Sequence, residues 1–366
     1  MRLESFNPFD VCFNLLKIKY KDYDEQISIK KFLQPTDKVN VFINVETVLK
    51  YLSMIQDLEK KLFLQHDFPT ILTSNFLNLA AHYKRFFISN GLDTKVYLYM
   101  TDLESETESF AQYKYNEDYR TYYLTKYNRN PKFVYLSDAL KSKILPNLRK
   151  ICDCVPNLHF ITSKNVEGSL IPLMIAEQDK TRKNFIITSE CFETQYSLIP
   201  NFMVSCIKRS PASLKVMDSV TDYMVEMTKK KPEEIDDLIK LYNNYGMYCT
   251  LMSIAGDRSR STEGISGYGP ATLANALKAG INNNTIQSST LNPEMIKNVF
   301  NDSGIRDDFV NNYYSTNVVD MYKELTQTDK TAVYNQIINQ FDVNSLRILN
   351  NTEFKNYPLI LEALLL

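Results

Sequence analysis

The sequence predicts an α/β fold, a parallel twisted sheet flanked by helices and followed by a mainly helical region. Three observations point there. From residue 38 onward, short β-branched runs alternate with helical patterns, as strands joined by crossover helices do. Two of these runs lead into an acid, Asp102 or Glu190, and a third ends on Asn44. After residue 217 the β-branched runs give way to helical periodicity.

Taken in order, "KVNVFIN" (38–44) is compact and β-branched, and it runs straight into "VETVLKYLSMIQDLEKKLF", whose apolar positions recur at helical spacing. "PTILTSNFLNLAAHYKRFFISNG" reads as a second helix closed by Gly91. "KVYLYMTD" (95–102) is a strand, "LHFITS" (158–163) another, and "NFIITSE" (184–190) a further one; "NVEGSLIPLMIAEQD" between the last two is a helix. Ligands of such sheets bind beyond the carboxyl ends of the strands. Asn44, Asp102 and Glu190 are therefore expected on one edge. The segment 104–130 is polar and tyrosine-heavy without an apolar stripe, and it reads as an excursion over that edge.

With 366 residues the chain can fill one large domain or two modest ones. Its formal charge of −1 sets up no global basic field, although a local patch survives such averaging. The start "MRLESFNPFDVCF" lacks the pattern of a signal peptide, and no window is apolar for long enough to span a membrane. The expectation is a soluble intracellular protein. Six scattered cysteines read as reduced core thiols, and three distant histidines leave no zinc-ligand spacing.

Glycine is scarce, yet five of the nine residues of this type fall between Ser253 and Gly280, in "SIAGDRSRSTEGISGYGPATLANALKAG". Gly264, Gly267 and Gly269 precede Pro270, which suits a first helical turn. Glycines before a helix N-terminus let backbone N–H groups reach an anion, so the stretch can grip a phosphate without reading a base. A tight helix–helix connection with no ligand accounts for the same pattern.

The stretch "GDRSRSTEGISGYGPATLANAL" resembles the helix-two-turn-helix element of the flap endonuclease / 5′-nuclease family (5′-3′ exonuclease, PIN-like), with Gly256, Asp257, Gly264, Gly267, Gly269, Pro270 and Thr272 in register. "VFINVETVL", "VYLYMTDLES", "SFAQYKYNEDYR", "NVEGSLIPLMIA" and "FIITSECFETQ" follow the family's motifs in the same order, over roughly residues 38–290. The resemblance implies a nuclease-like domain at 38–216, a DNA-binding module at 217–290, an N-terminal extension at 1–37 and a helical C-terminal region at 291–366. It also implies a turn, including Tyr268, that holds a DNA backbone phosphate with help from K⁺.

Family members cut phosphodiesters with two divalent ions held by carboxylates. Carried over position by position, the resemblance keeps four acids: Asp102, Glu167, Glu190 and Asp257. Asn44 stands where the first acid falls, with Ser169, Leu170, Phe192 and Arg260 at others. An arginine competes with a cation directly. The remaining set suits one Mg²⁺ or Mn²⁺ on Asp102, Glu167 and Glu190 rather than a pair. The expected function is DNA binding in a replication, repair or transcription assembly without cutting; an active 5′-nuclease and a protein-interaction subunit are the alternatives. Read without the family, the same acids serve as helix caps, dipole partners or local ion pairs.

Binding residues should persist if cutting is lost. Lys114 and Arg120 sit among tyrosines in the 104–130 segment, where cations meet phosphates and rings stack on bases. Packing of that loop on the domain or on a partner is the competing reading. Arg258 and Arg260 add positive charge beside the glycine turn, and the apolar end "YPLILEALLL" is expected to fold back or to dock on a protein partner.

Overall fold

The β-branched run Lys38–Asn44 forms β1, an interior strand of a six-stranded sheet. The computed structural model describes residues 33, 37–53, 68–101, 144–163, 166–188, 192–207, 214–216, 219–256, 264–269, 271–275, 279, 297, 300 and 302–338. β1 pairs in parallel with β2 (Asp93–Thr101) on one side and β4 (Lys183–Thr188) on the other. β3 (Leu158–Ser163) extends the sheet beyond β2, and β5 (Phe202–Ile207) extends it beyond β4, both in parallel. A three-residue strand, β6 (Leu214–Val216), closes the far edge antiparallel to β5.

β1 and β3 coincide with the predicted runs. β2 and β4 start earlier than predicted, and the last predicted residues of each, 102 and 189–190, lie outside the described residues. β5 and β6 carry no sequence prediction, because a short 3₁₀ turn (Phe192–Leu198), rather than a crossover helix, leads from β4 to β5.

Alternate residues of β1 enter opposite layers, as a pleated strand buried on both faces requires. Val39, Val41 and Ile43 pack with Phe76, Leu77, Ala80 and Phe87 of α2 (Phe68–Ser89) and Leu148 and Ile151 of α3 (Leu145–Cys152). Phe42 faces the other way, stacked on Tyr97 at 5.2 Å, into a layer with Met174, Phe192, Tyr196 and Tyr248. Burying each such large side chain stabilises the fold by about 1.5–3 kcal/mol. The helix α1 (Val45–Ser53) follows β1 with no loop between them.

The strand order β3-β2-β1-β4-β5-β6 reverses direction between β1 and β4. That reversal opens a crevice at the carboxyl ends of these two strands, where open α/β sheets bind ligands. α4 (Ile171–Gln178), entered through a 3₁₀ turn at Gly168–Leu170, lies on the face that carries Phe42.

Beyond the sheet come α5 (Ser219–Thr228), α6 (Asp236–Tyr242), α7 (Tyr245–Ala255), α8 (Ser303–Thr316), α9 (Val318–Lys323) and α10 (Gln327–Ile338), the helical region the sequence predicts. α7 packs on α8. α10 returns to the sheet, where Gln336 accepts from the Thr162 N–H at 3.1 Å and donates to the Thr162 carbonyl at 2.6 Å. One side chain thus pairs with the open edge of β3 as a neighbouring strand would, which covers part of a sticky edge. Among the described residues, no helix is long and apolar enough to cross a membrane.

Candidate functional site

β1 delivers Asn44 to the crevice at the strand-order reversal. Its Oδ1 accepts from the Thr47 N–H at 3.1 Å, so the side chain caps the first turn of α1. That bond fixes the amide's orientation and turns Nδ2 toward Glu193, where it donates to Oε1 and Oε2 at 3.0 Å each. The Tyr99 hydroxyl, from β2, donates to the same Oε1 at 2.7 Å. Glu193 is 0% exposed and Asn44 6%. A carboxylate so buried is costly unless donors surround it, and here an amide and a phenol do so. Thr47 and Thr188, the last residue of β4, bring their hydroxyls within 3.3 Å of one another beside this group.

Glu193 reaches the crevice because the Phe192–Leu198 segment winds as a 3₁₀ turn directly after β4. Phe192 is wholly buried in the apolar layer, and Glu193 is the acid of this turn that meets Asn44. Burial, with Glu193's charge second, pushes the Tyr196 hydroxyl well above its ordinary range, and that hydroxyl donates to the Ser169 carbonyl. Ser169 in turn donates its own hydroxyl to Glu167 Oε1 at 2.7 Å. Glu167, 2% exposed, precedes the Gly168–Leu170 turn without capping it through its side chain.

Two residues further on, Gln195 ties this edge to the helical region. Its Oε1 accepts from the Tyr245 hydroxyl at 2.9 Å and the Val318 N–H at 3.0 Å; its Nε2 donates to the carbonyls of Phe192 and Thr316 at 2.8 and 2.9 Å. Every polar atom of a fully buried amide is used, joining the turn after β4 to α7, α8 and α9.

The glycine stretch lies between α7 and helical residues 271–275. Ile265 donates its N–H to the Ile254 carbonyl at 2.8 Å, folding the chain back on the end of α7. A Cβ at Gly264 would meet the Ala255 carbonyl oxygen at 2.5 Å, so only glycine allows this approach. Gly267 turns the chain at φ +84°, and Leu273 N–H to Gly269 O at 2.9 Å makes the first helical bond. Gly264, Gly267, Gly269 and Thr272 are exposed, whereas Leu273 and Ala274 are buried. Tyr268 packs edge-on against Phe300 at 4.8 Å, which holds the turn onto the helical core.

Of the residues singled out from sequence, Asn44, Glu167, Ser169, Leu170, Phe192, Gly256, Gly264, Gly267, Tyr268, Gly269 and Thr272 are described. Asp102, Glu190, Asp257, Arg258, Arg260, Lys114 and Arg120 lie outside the described residues, as does the 104–130 segment. Among the described residues, no group of three His, Cys, Asp or Glu side chains is placed to hold a metal ion. The described oxygen donors suit hydrogen bonds instead: Glu193 is ringed by donors, and Glu167 receives Ser169. Glu193 and Tyr99 escaped the sequence reading. The available signal was an acid three residues after Glu190, which only the 3₁₀ winding turns toward Asn44.

No protein-family model matches the chain, and no curated protein matches it. Among solved structures, it is similar to the T5 5′-exonuclease with bound zinc, at 12% identity and a TM-score of 0.47, over 83% of this chain and 99% of that one. It is also similar to a bacteriophage T5 flap endonuclease in a pseudo-enzyme-product complex with DNA and metal ions, at 13% identity and a TM-score of 0.45, over 82% and 98%. At these values neither likeness carries an argument about residues, metal or substrate.

Proposed function

We propose that this protein binds DNA of branched or partly single-stranded form on a 5′-nuclease-like scaffold and does not cut it. The observation that supports this most is the Asn44–Glu193 pair at the strand-order reversal. Two-metal hydrolysis needs several anionic oxygens with lone pairs free for hard cations. Here the strand end contributes a neutral amide, and its N–H group donates to both oxygens of Glu193. A cation binding there would have to expel the amide that also caps α1.

The binding half of the reading rests on the glycine turn. Its exposed backbone leads into a helix start, a geometry that suits a phosphate by backbone N–H groups and helix dipole. Arg258 and Arg260 add charge next to it in sequence, and Lys114 and Arg120 would serve a single strand.

A metal-dependent 5′-3′ exonuclease or flap endonuclease is the second reading, favoured by retention of Asp102, Glu167, Glu190 and Asp257 in the sequence. A Mg²⁺ or Mn²⁺ held by them would activate water. A salt titration of binding to a labelled 5′-flap duplex tests the binding claim. Phosphate contacts make the logarithm of affinity fall linearly with that of salt, and removing both Arg258 and Arg260 should flatten the slope by about 1–2. Salt-independent or undetectable binding would instead leave a protein-interaction subunit.

A further inference from the structure

The amino end of the sheet, opposite the edge that carries Asn44, holds a partly open pocket of about 180 Å³, lined in part by Gln178, Asp179 and Tyr334. Asn40 of β1 and Lys95 and Tyr97 of β2 form its floor, Ile175 of α4 and Ile337 of α10 its apolar walls, and Arg182 one end.

Three of these polar groups are uncommitted. Asn40, 1% exposed, donates its Nδ2 to Asn184 Oδ1 at 3.1 Å. Asn184 directs its own Nδ2 at the carbonyls of Arg182 and Asn201, so it can offer Asn40 only an oxygen. The Asn40 amide is thereby fixed, and its Oδ1 has no partner among the described residues. The Tyr97 hydroxyl makes no hydrogen bond to a described residue, and burial pushes it up to about 12, which keeps it a donor. Lys95 pairs with no carboxylate among the described residues.

Arg182, in contrast, is largely committed, although its buried Nε makes no hydrogen bond to a described residue. It donates to the carbonyls of Val39 and Asp93 and to Asp93 Oδ2, and its Nε lies 3.4 Å from Asp179 Oδ2. With Asp93 and Asp179 close by, the Lys95 ammonium suits a monoanion better than a doubly charged phosphate. The volume equals about six waters at ~30 Å³ each. Water needs two or more polar partners, which Ile175 and Ile337 do not supply, so a ligand with an aliphatic part matches these walls better.

We infer that this cavity binds a small 2-amino or 2-hydroxy monocarboxylate with an aliphatic side chain. Lys95 and the Tyr97 hydroxyl take the carboxylate, Asn40 Oδ1 accepts from the amino or hydroxyl group, and Ile175 and Ile337 receive the side chain.

Calorimetric titration of the full chain with L-leucine and with 2-hydroxy-4-methylpentanoate tests the inference. Saturable binding is expected for at least one of them. 4-Methylpentanoate, which lacks the donor, and 3-methylbutylamine, which lacks the carboxylate, should each bind about ten-fold more weakly or worse. Lys95→Met should weaken the titration by a similar factor without moving the melting temperature. Equal affinity for 4-methylpentanoate, an unchanged titration in Lys95→Met, or no saturation by about 10 mM with only ordered waters in a crystal of the soaked protein would overturn it.

Discussion

Asn44 turns its amide nitrogen to both carboxylate oxygens of Glu193, 3.0 Å from each, while its amide oxygen caps α1 through the Thr47 N–H. One neutral side chain therefore stabilises a helix start and gives a buried carboxylate hydrogen-bond donors. Both tasks need an amide, since a carboxylate could cap the helix but not donate to Glu193.

Asn44→Asp should separate the two tasks. The cap survives, but two carboxylates now face each other in a buried site, which costs about 3–5 kcal/mol at neutral pH. Acidification should restore part of the loss, because one proton shared by the pair removes the repulsion. Mn²⁺ should do the same by supplying positive charge where the amide hydrogens were. Thermal melts at pH 7.5 and 5, with and without Mn²⁺, read all three effects.

Gln195→Leu should be more damaging than its neutral character suggests. It removes the acceptor of the Val318 N–H and the donor to two buried carbonyls, each unmet group costing about 1–3 kcal/mol, while the Tyr245 hydroxyl keeps Asn317 Oδ1 as an acceptor. Because the lost bonds join the sheet to α7, α8 and α9, proteolysis should begin in the helical region before the sheet unfolds. Limited digestion followed by mass mapping checks the order.

The three glycines of the turn should respond differently to alanine. Gly264→Ala collides with the Ala255 carbonyl and must shift backbone. Gly267→Ala pays for its positive φ, about 1–2 kcal/mol. Gly269→Ala meets nothing within 4 Å and should be nearly neutral. Urea midpoints rank them. Gly264→Ala is also expected to weaken flap binding most, since it displaces the backbone proposed to hold a phosphate.

His82 gives the fold an acid-sensitive limb. Burial, with Arg85 second, lowers its pKa from 6.5 to about 4. Between those values the unfolded chain takes up a proton that the folded chain refuses, so stability rises with pH and is lost as pH falls below 6.5. The shift corresponds to about 3 kcal/mol at most. His82→Gln should flatten the urea midpoint between pH 7 and 5 relative to the parent protein.

The sheet was legible because its strands are apolar on both faces: "KVNVFIN" and "LHFITS" have no other good burial. β5 and β6 were hidden by the missing crossover helix. The glycine turn was legible as geometry, since Gly264 has a steric reason and Gly267 a dihedral one. The centre of the crevice was not. Glu193 and Tyr99 are 94 residues apart, and only parallel pairing with a 3₁₀ turn brings them to Asn44. Gln195 ends the stretch "FIITSECFETQ", but its partners on α7, α8 and α9 depend on helix packing that no local pattern encodes.

The most direct measurement follows one end-labelled 5′-flap duplex through a binding assay and a gel in the same Mn²⁺ buffer. A shifted band that weakens as salt rises, with the DNA intact after prolonged incubation, is the predicted result. Product accumulating in the parent protein and vanishing in Asp102→Ala would contradict it, and would mean that the surviving acids still assemble a working metal site.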